Sequence, residues 1–146
     1  IQMYRMASEE IGNVLARNPL DHRALARTAE IKREIAVLDQ RSKDDAIKSS
    51  QLLASLMPGF WQPQIGLAWT YSRLQEYDQA IEEIARAKDL SRDAGDSPDS
   101  YLIHYVEAFT LHGLGHKVEA LAAAYRSMEL QPNPGAQQII TQLTAG

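Results

Sequence analysis

Few residues in this chain are spaced for chemistry. His112 and His116 stand four apart, the spacing at which two imidazoles on one helix can share a metal ion. Gly113-Leu114-Gly115 lies between them and should end the helix there, and no Glu follows His112 directly. Two turn-region histidines are expected, not a zinc site. His104 and His112 are eight apart and could face one side of a helix, but no Ser or Cys nucleophile is set against them in a readable motif. The carboxylate pairs Glu9-Glu10, Asp44-Asp45 and Glu82-Glu83 are adjacent in sequence. Neighbours on a helix diverge by about 100°, so these pairs do not converge and read as solvated surface. Gly113 to Lys117 has no strand signal before it and no Ser or Thr after the Lys, so it is not a phosphate loop. No metal, no cofactor and no catalysis are expected.

Composition narrows the classes further. The chain has 146 residues, no cysteine and a formal net charge of −4. That length supports a sizeable core, and the absence of Cys removes disulfide scaffolds, thiolate metal sites and cysteine nucleophiles. The acidic balance argues against general nucleic-acid binding, which needs clustered Lys and Arg. Twenty Ala and sixteen Leu against four Val favour helix over sheet. No stretch approaches the roughly 18 apolar residues of a membrane span, and the first residues lack a signal-peptide layout. A soluble chain is expected, with the cytoplasm slightly favoured. Charge is uneven: residues 1–58 sum to +1 and residues 59–146 to −5. The acidic run Glu76–Asp99 reads as ordinary surface, with a basic partner as the alternative. Eight of the ten aromatics fall between Phe60 and Phe109.

The chain repeats itself. Ala46-Ile47, Ala80-Ile81 and Ala120-Leu121 are equivalent, at steps of 34 and 40 residues. Ten residues after each Ala stand Leu56, Leu90 and Leu130; twelve before stand Glu34, Ala68 and Ala108. Breakers at Asn18-Pro19, Pro58-Gly59, Gly95 to Pro98 and Pro132 to Gly135 separate segments with helical periodicity. Helices are predicted over 2–17, 21–40, 43–56, 61–74, 78–94, 98–113, 117–130 and 134–143. Ser42 with Asp45 resembles a capping box, Asp78 is a candidate N-cap, and Ser97-Pro98-Asp99 suits a helix start. The extra residues of the longer step should lengthen the helix that ends near Gly95.

Helix pairs at this period resemble the tetratricopeptide repeat family. Leu67, Ala68, Tyr71, Leu74, Tyr77, Ala80, Ile81, Ala87 and Leu90 fit its pattern, as do Ala108, Leu114-Gly115, Ala120, Leu121, Leu130 and Pro132. Residues 27–58 match mainly through Ala46, Ile47, Leu56 and Pro58. Departures are Glu34 and Ser127 at positions that want small apolar residues, and Glu107 where Leu is usual. The resemblance implies an all-α, right-handed α-solenoid. Its parts are a half repeat over 1–19, a divergent repeat over 20–58, repeats over 59–97 and 98–133, and a terminal capping helix over 134–146. The missing initiator Met and the opening half repeat suggest a piece of a longer array.

In that family the first helix of each pair lines a concave surface. The inward positions carried over are Thr28, Ile31, Ile35 and Asp39; Gln62, Ile65, Trp69, Ser72 and Arg73; and Leu102, Tyr105, Phe109 and His112. The resemblance thus implies a peptide-binding groove of Ile31, Ile35, Ile65, Trp69, Tyr105 and Phe109, with Arg73 and His112 as polar handles. Its ligand would be an apolar or amphipathic segment. The Lys and Asn with which relatives clasp acidic chaperone tails are absent, so that activity is not expected. The expected function is a non-catalytic protein-interaction scaffold. The alternatives are a docking region of a larger enzyme or regulator and a self-associating helical unit; the same stripe could also be covered by the protein's own segment.

Overall fold

A computed structural model describes residues 2–18, 21–94 and 100–145. Among these it contains helices and no strand. The helices are α1 (Gln2–Arg17), α2 (His22–Leu38), α3 (Lys43–Leu56), α4 (Trp61–Arg73), α5 (Tyr77–Ala94), α6 (Tyr101–Gly113), α7 (Lys117–Leu130) and α8 (Pro134–Thr144). The chain forms two compact units, Ile1–Pro58 and Gly59–Gly146.

The first unit packs α1 on α2 and α2 on α3. Asp21 caps α2 by accepting the Ala24 N–H at 2.9 Å. The helix ends at Leu38, earlier than the predicted Gln40, because Asp39 turns extended and caps a 3₁₀ turn over Gln40–Ser42. Ser42 therefore makes no side-chain cap to α3, and the expected capping box does not form. Asp39 instead accepts the Arg41 backbone N–H and guanidinium, and the Arg41 side chain holds its carboxyl below the usual carboxylate range. The core is mostly small: Ala24, Ala29, Ala36, Ala46 and Ala54 are buried with Leu25 and Ile31. Small side chains let the helices approach closely but supply little apolar area.

The second unit carries the repetition. Within it α4 packs on α5, and α6 packs on both; α6 packs on α7, and α8 packs on both of those. Pro63 sits in the first turn of α4, where its missing N–H breaks no helical bond. Tyr77, not Asp78, begins α5, so Asp78 serves as a first-turn carboxylate rather than the N-cap. The predicted helix start at Ser97-Pro98-Asp99 lies outside the described residues, and α6 begins at Tyr101 with Ser100 at its N-cap. Asn133 caps α8 by accepting the Ala136 N–H, with Pro134 as the first helical residue.

The two hairpins of this unit turn in the same way. In each, the third residue past the helix donates back five positions: Glu76 N–H to Tyr71 O at 2.8 Å, and His116 N–H to Leu111 O at 2.9 Å. The residue before it bonds back three positions, Gln75 to Ser72 and Gly115 to His112. This double closure needs a left-handed residue at the turn, and Gln75 (φ 65) and Gly115 (φ 81) supply it. From Ala80 to Leu90 and from Ala120 to Leu130, buried, partly buried and exposed positions fall in the same order. Ala68, Ala80, Ala108 and Ala120 are all completely buried, as close helix crossings require.

Gln75 carries a conformation that costs a side-chain-bearing residue about 1–2 kcal/mol. Glycine there gives back part of this through its own greater freedom in the unfolded chain. Gln75→Gly is therefore expected to stabilise the protein by about 0.5–1 kcal/mol, and Gly115→Ala to cost about 1 kcal/mol. Urea midpoints at unchanged slope measure both.

Candidate functional site

The aromatic stripe survives into the structure on the second unit. One core cluster joins Trp61, Ile65, Ala68, Ile84, Ala87, Ile103 and Val106, with Trp69 and Tyr105 partly buried against it. A second joins Ala108, Ala123, Ala124, Ala136, Ile139 and Ile140, with Tyr105 and Phe109 against it. Tyr105 thus bridges the two clusters. The Trp69 and Phe109 rings meet edge-on at 4.8 Å and 68°, and Trp69 and Tyr105 lie 5.5 Å apart at 47°. The Arg73 guanidinium stands 5.5 Å from the centre of the Trp69 ring, within range of a cation–π attraction. Burial pushes the Tyr105 phenol up in pKa, and the nearby Arg73 charge only partly opposes this. The face therefore presents a neutral hydroxyl and one cation among three rings.

Helix spacing explains why these residues meet. Leu102, Tyr105 and Phe109 fall at i, i+3 and i+7 on α6, and Ile65, Trp69 and Arg73 at i, i+4 and i+8 on α4. A Cβ placed on Gly135 would lie 2.5 Å from the Tyr105 ring, so α8 presses its bare backbone against that ring. A Cβ on Gly113 would likewise overlap the Tyr77 ring.

The expected lining divides by burial. Trp69, Tyr105 and Phe109 are partly buried and adjacent; Leu102 is 38% exposed, and His112 is exposed in the last turn of α6. Ile65 is 6% exposed and belongs to the core. Ser72, expected to face inward to a groove, is 1% exposed, and its hydroxyl lies 2.9 Å from that of Thr110. Thr110 Oγ1 donates toward Ser72 Oγ and toward Val106 O, the latter at 2.7 Å, so the pair is satisfied inside the helix packing. Ile31 is buried and Ile35 partly buried, and both belong to the first unit, whereas Trp69, Tyr105 and Phe109 belong to the second. Among the described residues no group of three or more His, Cys, Asp or Glu could hold a metal ion. No helix among them is long and apolar enough to cross a membrane.

Sequence reading missed the polar contacts of this unit. Buried Glu83 accepts from Gln64 and lies 3.1 Å from Arg86. Glu107, noted only as a departure from the repeat pattern, accepts from Lys88 and stands 3.8 Å from His104. Its position where Leu is usual, one turn from His104, was the available signal. Burial alone would raise the Glu107 carboxyl, but the hydrogen bonds from His104 and Lys88, with their charges, hold it below the usual carboxylate range. A depressed carboxylate stabilises the fold above its unfolded pKa, and that contribution is lost as pH falls through the folded value. Glu107→Gln should be less stable than wild type at neutral pH, with the two stability curves converging as pH drops below about 4.5. Urea titrations across that range measure it.

Repeated helical hairpins with an aromatic face define an all-α, repeat-like protein. No family model matches the chain, and no curated protein is significantly similar to it.

Proposed function

We propose that the protein is a non-catalytic interaction scaffold, built as a tetratricopeptide-like α-solenoid. Its aromatic face holds an apolar or amphipathic segment of a partner. The observation that carries this reading is the Trp69–Tyr105–Phe109 cluster, which leaves three rings partly exposed side by side with Arg73 above one of them. Aromatic and Arg side chains are the commonest anchors of protein interfaces, because they bury much area while losing little freedom. The solenoid reading is supported by the repeated turn geometry and by α8 packing on α6 and α7 as α6 packs on α4 and α5.

The test uses Leu102→Asp. Leu102 is exposed in the first turn of α6, where an acidic residue suits the helix dipole, so the fold should hold. A displayed peptide library should yield apolar or amphipathic ligands for wild type, and their affinity should fall about tenfold or more on Leu102→Asp. Ligands insensitive to Leu102→Asp would place binding elsewhere on the protein.

A further inference from the structure

A second feature lies apart from the aromatic face. A cavity of about 220 Å³ opens among α5, α6 and α7, lined by Lys88, Arg92, His104 and Arg126 together with the Ser91 and Ser100 hydroxyls. We propose that this cavity is an oxyanion site that takes a phosphate monoester.

Charge placement carries the argument. Residues 59–146 contain six Lys and Arg in a segment of net charge −5. Three of those six, Lys88, Arg92 and Arg126, converge on this one cavity, and among the described residues no carboxylate lines it. The existing partners of the cations are weak competitors. Arg92 pairs with Asp89 and Arg126 with Glu129 one turn along their own helices, with side chains half or more exposed. Exposed pairs of this kind hold little free energy, whereas a guanidinium and a phosphate make paired, charge-assisted bonds. Lys88 and His104 share the single carboxylate of Glu107.

The remaining lining suits the same ligand. Ser91 and Ser100, both in the lining, are each 3% exposed, and their hydroxyl oxygens lie 3.3 Å apart. Ser100 is the N-cap of α6, so the positive end of a thirteen-residue helix adds to the four side chains. The volume exceeds that of a bare phosphate, leaving room for the ester carbon beside Ile103.

The test is a titration of the full chain with inorganic phosphate and, separately, O-phosphoserine, read by backbone amide shifts. Both should move the amides from Ser100 to His104 saturably, O-phosphoserine at least as tightly as phosphate. Arg92→Gln with Arg126→Gln should weaken binding about tenfold or more, a loss of about 1.4 kcal/mol. Arg86→Gln, which alters a cation bound to Glu83 outside the cavity, should change nothing. If the double variant loses its helical signal, Arg126→Gln alone is judged by the same criterion. Shifts scattered over all cations, or undiminished in the variants, would mean an adventitious ion only and overturn the proposal. Binding of phosphate without O-phosphoserine would overturn it as well.

Discussion

Trp61→Ala is expected to lose about 3–5 kcal/mol of stability, the range for emptying a large aromatic site in a core. Trp61 is 6% exposed and clusters with Ile65 and Ala68 from its own helix, Ile84 and Ala87 from α5, and Ile103 and Val106 from α6. One side chain therefore joins three helices. The residues opposite it are Ala and β-branched, with little rotamer freedom to close the gap, so the cavity should persist. Phe60, next to it, is 56% exposed, and Phe60→Ala should change stability by no more than about 0.5 kcal/mol. Urea unfolding followed by helical circular dichroism measures both. Equal midpoints for the two variants would mean that the α4–α5–α6 core is not organised around Trp61.

The contrast between these neighbours was not legible in the sequence. Phe60-Trp61 follows Pro58-Gly59, and both rings read as entry to a helix. Only the register of α4 on α5 decides which one turns inward. What could be read was periodic. Ala68, Ala80, Ala108 and Ala120 stand at small-residue positions of the repeat pattern, and each is fully buried. Gly113-Leu114-Gly115 marked a helix end, and Gly115 takes the left-handed conformation there, which glycine adopts without cost. The parallel turn at Gln75 gave no such signal, because there the packing of two hairpin helices imposes the conformation on a residue that does not favour it.

Polar contacts were less legible for a related reason. A hydrogen bond depends on the meeting of atoms from distant segments, and periodicity does not encode that. Glu107 looked like a misfit in a repeat pattern until Lys88, nineteen residues earlier, was brought beside it. Ser72 falls at an inward position carried over from the family resemblance. One turn of α6, through Thr110, takes it into the interior instead. The aromatic stripe was recoverable because its members share helix faces.

Trp69 then separates stability from binding. Trp69→Ala removes two aromatic contacts, each about 0.5–1.5 kcal/mol beyond area, and a cation–π contact of about 0.5–1 kcal/mol. Because part of the ring is already wet, the expected cost to folding is about 2–3 kcal/mol, below that of Trp61. The same ring, as an anchor in the proposed face, should contribute about 2 kcal/mol or more to ligand affinity, roughly a thirtyfold change in Kd. Trp69→Phe keeps a ring against Phe109 and should recover much of the stability but only part of the affinity, since the larger indole surface and its stronger hold on Arg73 are gone. A folded Trp69→Ala chain that binds a selected peptide as tightly as wild type would sink the scaffold proposal. A stability loss matching Trp61→Ala, with no ligand selected, would make Trp69 an interior side chain whose neighbours belong to the core.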